Sequence, residues 1–207
     1  MDHHDLKNRE IIKQNGYIKL GDVVVDVGAN VGTYVGFFLE NLGVTGKIYA
    51  IELVAKTMQT LQTRFSNFSN VALICGAASD HNGFEKMYLG GSHEQHNIVG
   101  YTPDGKESSQ LGEIGCFTLD KLLEQEKEIS FIKIDVEGSE LKVLRGMTDT
   151  VKKTKTILLE NHYDEDWPEI RKILLEDYGL EGYNIETGEP ITPESPRPYQ
   201  CLLRKKQ

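Results

Sequence analysis

The chain of 207 residues has no apolar run approaching the roughly eighteen residues needed to span a bilayer, which excludes a membrane-spanning helix. Its first residues, MDHHDLKNRE, are charged from the second position and carry no apolar leader segment, so a cytoplasmic protein is expected. Cysteine is scarce. Cys75, Cys116 and Cys201 are odd in number and far apart, each in or beside an apolar segment (VALICG, GCFTL, YQCLL). Buried reduced thiols fit that pattern better than a disulfide or metal framework. Positive charge is also in deficit: 23 Lys and Arg stand against 32 Asp and Glu, a net charge of -9. A broad phosphate-neutralising surface is thereby disfavoured, so neither nucleic acid nor an anionic membrane is expected as a partner. Nothing in the chain indicates its oligomeric state. Disorder is excluded in turn, because 39% of the residues are hydrophobic, enough to build a core.

What is present is an alternation of short apolar, β-branched runs with helical segments. DVVVDV (22–27), KIYAIE (47–52), VALIC (71–75), FIKIDV (131–136) and TILLEN (156–161) read as strands. Helices are expected over about 31–40 and 55–65, and again in SELKVLRGM. Continuous apolar strands connected by helices imply right-handed crossovers and a parallel sheet covered on both faces, hence an α/β, doubly wound fold. Residues 1–20 read as a helix (LKNREIIKQ) and a connector, and residues 21–207 as one domain. Residues 89–115 contain six glycines and little apolar pattern, which reads as a long surface loop. The tail, with YNIET, a proline-rich turn and YQCLLRK, reads as a hairpin that adds an antiparallel strand to the sheet.

Parallel α/β sheets bind ligands at the carboxyl ends of their strands. There the first strand runs into Asp26-Val27-Gly28-Ala29-Asn30-Val31-Gly32 and a helix. A dinucleotide site wants G-x-G-x-x-G, but the third and sixth positions counted from Gly28 are Asn30 and Thr33. An S-adenosylmethionine site, whose ligand has no pyrophosphate, needs less: an acid on the strand and a glycine turn, supplied by Asp26, Gly28 and Gly32. Glu52, at the end of the second strand and followed by Leu53, is placed to accept hydrogen bonds from ribose hydroxyls. Beyond the third strand, Gly76-Ala77-Ala78 is a small-residue turn against which an adenine ring can lie. Asp80 either reaches its amine or caps the turn.

The run FIKIDVEGSELKVLRG (131–146), with TLDKLL (118–123) and DVGANVG (26–32), resembles the FkbM family of class I methyltransferases over roughly residues 20–205. That resemblance implies a seven-stranded Rossmann-like sheet, mostly parallel with an antiparallel last strand, and S-adenosylmethionine-dependent O-methylation of a sugar or small-molecule hydroxyl. By position, Asp26, Gly28, Asn30 and Gly32 would hold the methionine end of the donor, Glu52 its ribose, and Asp135 the region of the methyl group. An alcohol needs a general base. Candidate catalytic residues crowd the ends of strands four and five: Asp135, Glu137, Glu160 and His162, beside Asn161. His162 is the first choice, because imidazole titrates near neutrality. Glu137 is either catalytic or a cap of its turn, Ser139 is expected to cap the next helix, and His93 and His96 are alternatives from the loop. A Mg²⁺ ion on Asp135, Glu160 and Asn161 is a further possibility, weakened because adjacent strand residues point to opposite faces. Two other functions compete: a nicotinamide-dependent oxidoreductase, opposed by Asn30 and Thr33, and a non-catalytic cofactor-binding module.

Overall fold

Strand β1 (Val23–Val27) lies in the interior of the sheet because, Asp26 apart, its side chains are apolar on both faces. Val24 packs among Phe38, Leu42, Leu61 and Phe131 on one side, whereas Val25 and Val27 pack among Leu119, Ile132, Val143 and Trp167 on the other. The computed structural model describes residues 3–88, 97–100 and 109–205. In chain order the elements are α1 (His3–Gln14), β1, α2 (Thr33–Leu42), β2 (Lys47–Glu52), α3 (Ala55–Phe65), β3 (Val71–Cys75), β4 (Ala77–Ala78) and β5 (Gly83–Tyr88). These are followed by β6 (Gln110–Phe117), α4 (Leu119–Leu122), β7 (Ile129–Ile134), α5 (Glu140–Arg145), β8 (Thr154–Glu160), α6 (Trp167–Lys172), β9 (Leu180–Asn184) and β10 (Gln200–Lys205).

The main sheet has the order β3-β2-β1-β7-β8-β10-β9. Neighbours from β3 to β8 pair in parallel, and β10 runs antiparallel to both β8 and β9. Helices α1, α2 and α3 contribute Ile12, Phe38 and Leu61 to the core on one face, and α4, α5 and α6 contribute Leu119, Leu144 and Ile170 on the other. The fold is therefore the seven-stranded, doubly wound α/β sheet with an antiparallel last strand. Thr118 caps α4 through a hydrogen bond from the Lys121 amide, which is the local reason TLDKLL starts a helix there. Among the described residues no helix is long and apolar enough to cross a membrane.

Three expectations are corrected. The region 89–115 is not wholly loop: β6 begins at Gln110 and pairs antiparallel with β5, and with β4 they form a second sheet of three strands. This sheet is open to solvent, so β5 and β6 need no continuous apolar run, and Gly112 and Gly115 further hide the pattern. Cys75 is exposed at the end of β3, while Cys116 and Cys201 are buried and all three are free. The strands at 131–136 and 156–161 end earlier than read, at Ile134 and Glu160, which leaves Asp135 and Asn161 just beyond the sheet.

Candidate active site

The switch point between β1 and β7 carries a cavity lined by Gly28, Asn30, Glu52, Leu53, Ala77, Ala78, Asp135, Glu137 and Ser139 among others. The β1 turn is built from left-handed residues at alternate positions, Gly28 (φ 82), Asn30 (φ 47) and Gly32 (φ 85). Asparagine tolerates this region better than other side chains, which is why Asn30 stands where glycine is the usual solution. The two glycines serve packing. A Cβ on Gly28 would lie 1.7 Å from the Asp135 carbonyl oxygen, and one on Gly32 would lie 2.2 Å from the Phe65 ring. Gly28 thus lets the turn after β1 lie against the backbone at the end of β7, whereas Gly32 seats α3 and, like Ala29, does not line the cavity.

Glu52 is buried, and each of its oxygens accepts a backbone N–H: Oε2 from Asn30 at 2.9 Å and Oε1 from Val54 at 2.7 Å. It ties the β1 turn to the end of β2 and still presents lone pairs to the cavity. Burial pushes its carboxyl above the ordinary range, against those hydrogen bonds. Ala77 and Ala78 form, with Leu53 and Ile98, a low apolar wall opposite. Asp80 does not reach the cavity lining; it hydrogen-bonds His81 at 2.9 Å.

Asp26 lies beneath the turn, 1% exposed, and is absent from the cavity wall. The register of β1 on β7 sets it beside Lys133. The Lys133 ammonium lies 3.6 Å from Asp26 and 3.0 Å from Asp135, donates to the Gly28 carbonyl at 3.3 Å, and sits over the Tyr34 ring at 5.1 Å. Burial pushes the Asp26 carboxyl up to about 6, with Lys133 opposing. Burial also opposes the charge on Lys133, but Asp135 and Asp26 outweigh it and hold the ammonium firmly protonated. Asp26 therefore acts on the cavity through Lys133 and the Gly28 carbonyl. Lys133 was passed over in the sequence, although a lone charge inside FIKIDV was its signal.

Beyond β7 the chain makes a second tight turn. Glu137 (φ 53) and Gly138 (φ 100) are both left-handed, and a Cβ on Gly138 would fall 1.7 Å from the Tyr163 ring. Ser139 precedes α5 but makes no capping hydrogen bond; its hydroxyl is buried, without a protein partner, on the cavity wall. The capping expectation for Ser139 is thus corrected: its hydroxyl bonds no amide of α5.

His162 closes this corner, with a side chain only 9% exposed. Its Nδ1 lies 2.7 Å from Glu140 Oε1, and its Nε2 lies 3.4 Å from Glu160, 3.5 Å from Glu137 and 3.9 Å from Asp135. Burial opposes its charge, but hydrogen bonds to Glu140 and Glu160 outweigh burial and push its pKa up to about 11. His162 is thus an imidazolium at neutral pH, with no lone pair to accept a proton, and its choice as general base is corrected for that reason. Glu140, buried and also accepting the Gly138 amide at 3.1 Å, is the partner that sequence reasoning overlooked.

The carboxylates differ from one another. Burial pushes Glu137 up to about 7, only partly relieved by His162. Burial also raises Asp135, with Lys133 opposing. Glu160 is brought down to about 2: burial acts against its charge, but hydrogen bonds from His162, Tyr199 and Gln200 prevail. The Mg²⁺ arrangement is not assembled. Asn161 turns its amide to the Pro198 carbonyl at 3.1 Å, and the Glu160 oxygens are taken by Tyr199 and Gln200. His93 and His96 lie outside the described residues.

Comparison with known proteins places the chain in a family. Residues 26–181 match the family model described as the methyltransferase FkbM domain. Among curated relatives, the 31-O-demethyl-FK506 methyltransferase FkbM of Streptomyces tacrolimicus is 27% identical over 84% of this chain and 74% of its own length. The hexuronic acid methyltransferase AglP of Haloferax volcanii is 26% identical over 75% of this chain and 62% of its own length. The crystal structure of a methyltransferase FkbM from Methylobacillus flagellatus KT shares the fold, with a TM-score of 0.52 at 19% identity, covering 89% of this chain and 43% of that one. With the family model spanning both the β1 turn and the Asp135–Glu140 turn, the chain belongs to the FkbM family of S-adenosylmethionine-dependent methyltransferases.

Proposed function

We propose that this protein transfers a methyl group from S-adenosylmethionine to a hydroxyl of a sugar or other small molecule, with Glu137 taking the hydroxyl proton. The observation that carries this reading is the Glu137 carboxyl, on the cavity wall in a strained turn, with its pKa pushed up to about 7. A base poised near the working pH combines availability with strength.

The residues present fit the donor. The corner holds five carboxylates (Asp26, Asp135, Glu137, Glu140, Glu160) against two cations, Lys133 and His162, a negative excess that suits a cationic ligand. Glu52 and the Asn30 turn would hold the ribose and methionine portions, and Leu53, Ala77 and Ala78 the adenine. When bound, the donor supplies an electrophilic methyl carbon on a sulfonium. In the transfer an oxygen–carbon bond forms, a sulfur–carbon bond breaks, and the acceptor proton passes to Glu137 Oε. His162 keeps a positive charge 3.5 Å from that carboxylate and so prevents its pKa from climbing too high to ionise. Orientation of the two reactants is the other main contribution of the protein.

The relatives named for 31-O-demethyl-FK506 and hexuronic acid support a hydroxylated acceptor. A screen of uronic acids, neutral sugars and polyketide alcohols with methyl-labelled donor tests the reading, alongside Glu137→Gln. The variant should still bind the donor by calorimetry, somewhat more weakly for the loss of one negative charge, and lose about 10²- to 10⁴-fold in kcat. Full turnover by Glu137→Gln would overturn the assignment of the base, and absence of any methylated hydroxyl product would overturn the reaction.

A further inference from the structure

We propose that Asn8 is a positioning residue of the catalytic corner, orienting the Gln200 amide so that it holds Glu160 against His162. Asn8 and Gln200 lie outside the segment matched by the family model, one on α1 and the other opening β10, and are 192 positions apart in the chain. Both are buried, at 1% and 4% exposure.

The polarity of this relay is forced link by link. Glu160 is ionised, so it only accepts hydrogen bonds, and the Gln200 amide nitrogen donates to its Oε2 at 2.6 Å. That leaves the Gln200 carbonyl oxygen facing the other way, where it needs a donor, and Asn8 Nδ2 supplies one at 3.0 Å. Without that donor the carbonyl is left unpaired in a buried place, and the amide loses the contact that fixes its far end while its nitrogen holds Glu160. Glu160 in turn lies 3.4 Å from His162 Nε2. The groups facing His162 are Asp135 and Glu137 after β7, Glu140 on α5, Glu160 on β8 and the Tyr199 ring before β10. Of these, Glu160 is the one joined to α1 by hydrogen bonds, through the Gln200 amide and Asn8, while the Tyr199 ring meets α1 only through a ring contact with His4. The N-terminal helix is therefore tied to the corner that holds Glu137 without lining the cavity.

The effect on rate rests on the reading of Glu137 and His162 as the reacting corner; the effect on His162 itself is read without turnover, so the two failures are distinguishable. The test is ¹⁵N NMR titration of the histidine rings, with His162 assigned from its own glutamine variant, for wild type, Asn8→Leu, Gln200→Leu and the double variant. Asn8→Leu should lower the His162 midpoint by about half a unit or more as Glu160 loosens. It should also reduce kcat about three- to tenfold, the size of one net hydrogen bond, with donor affinity unchanged. In the Gln200→Leu background the same substitution should do nothing further to His162. An unchanged midpoint in a folded Asn8→Leu, or an equal shift in both backgrounds, overturns the proposal. Should Asn8→Leu fail to fold, Gln200→Leu must show the lowered midpoint by itself, and its absence there overturns the proposal equally.

Discussion

Lys133 Nζ stands between two carboxylates, 3.0 Å from Asp135 and 3.6 Å from Asp26, at a place where all three side chains are largely withdrawn from water. One ammonium thereby serves both the floor of the β1 turn and the rim of the cavity. Removing it strands two acids together. Lys133→Met is expected to lower folding stability by about 3–5 kcal/mol, the cost of breaking a buried pair from one side. Urea denaturation at neutral pH measures this, and the loss should shrink at acid pH, where Asp26 and Asp135 are protonated.

The pH dependence of turnover follows from Glu137. It must be ionised to accept a proton, so kcat/KM should rise with pH through a limb near 7. A bound sulfonium favours the carboxylate, so the limb in kcat should lie below that in kcat/KM. Rate profiles of wild type and Glu137→Asp, with the same groups present but repositioned, check this. A profile flat between pH 5 and 8 would contradict it.

Stability should depend on pH through His162. Its folded pKa is raised from 6.5 to about 11, so its contribution is complete below about 6.5 and fades as pH rises towards 11. The stability gap between wild type and His162→Gln should therefore be widest near pH 6 and narrow steadily up to pH 10, read from urea midpoints. A gap that widened with alkalinity would show that His162 folds as the neutral ring.

The β1 turn supplies a paired backbone prediction. Asn30→Gly keeps the left-handed conformation and should leave stability within about 1 kcal/mol, whereas Asn30→Val should cost about 2 kcal/mol and weaken donor binding. Gly28→Ala is more severe, since its Cβ would overlap the Asp135 carbonyl oxygen at 1.7 Å. Thermal unfolding and donor calorimetry on the three variants test this order.

Glu52→Gln is expected to weaken donor binding about tenfold or more and to destabilise the turn by about 1–3 kcal/mol. The amide can accept from only one of the Asn30 and Val54 N–H groups, leaving the other without its partner. Equal donor affinity in Glu52→Gln would show that the residue only braces the turn.

Much of the fold was legible because burial on both faces leaves a plain trace. Val23–Val27, Lys47–Glu52 and Ile129–Ile134 are runs of apolar residues, and the sheet built from them follows in the expected order. Strands β5 and β6 left no such trace, since one solvated face and three glycines supply no periodic apolar signal. In the site, Glu52 and Asp135 were legible as acids at strand ends. Their neighbours were not: Lys133 becomes a partner of Asp26 only through the register of β1 on β7, which a linear chain does not display.

By itself, then, the sequence determined the class of sheet, the turn residues that need unusual backbone angles, and the family to which the chain belongs, because each of these is a local pattern. Tertiary structure decided which acid can act as a base. An isolated imidazole titrates near neutrality and an isolated glutamate near 4.5, and the order is reversed here. Four carboxylates from three elements converge on His162 and keep it charged, while burial keeps the proton on Glu137 up to about 7. Those effects depend on distances of a few ångströms between residues far apart in the chain, and only folding brings them together.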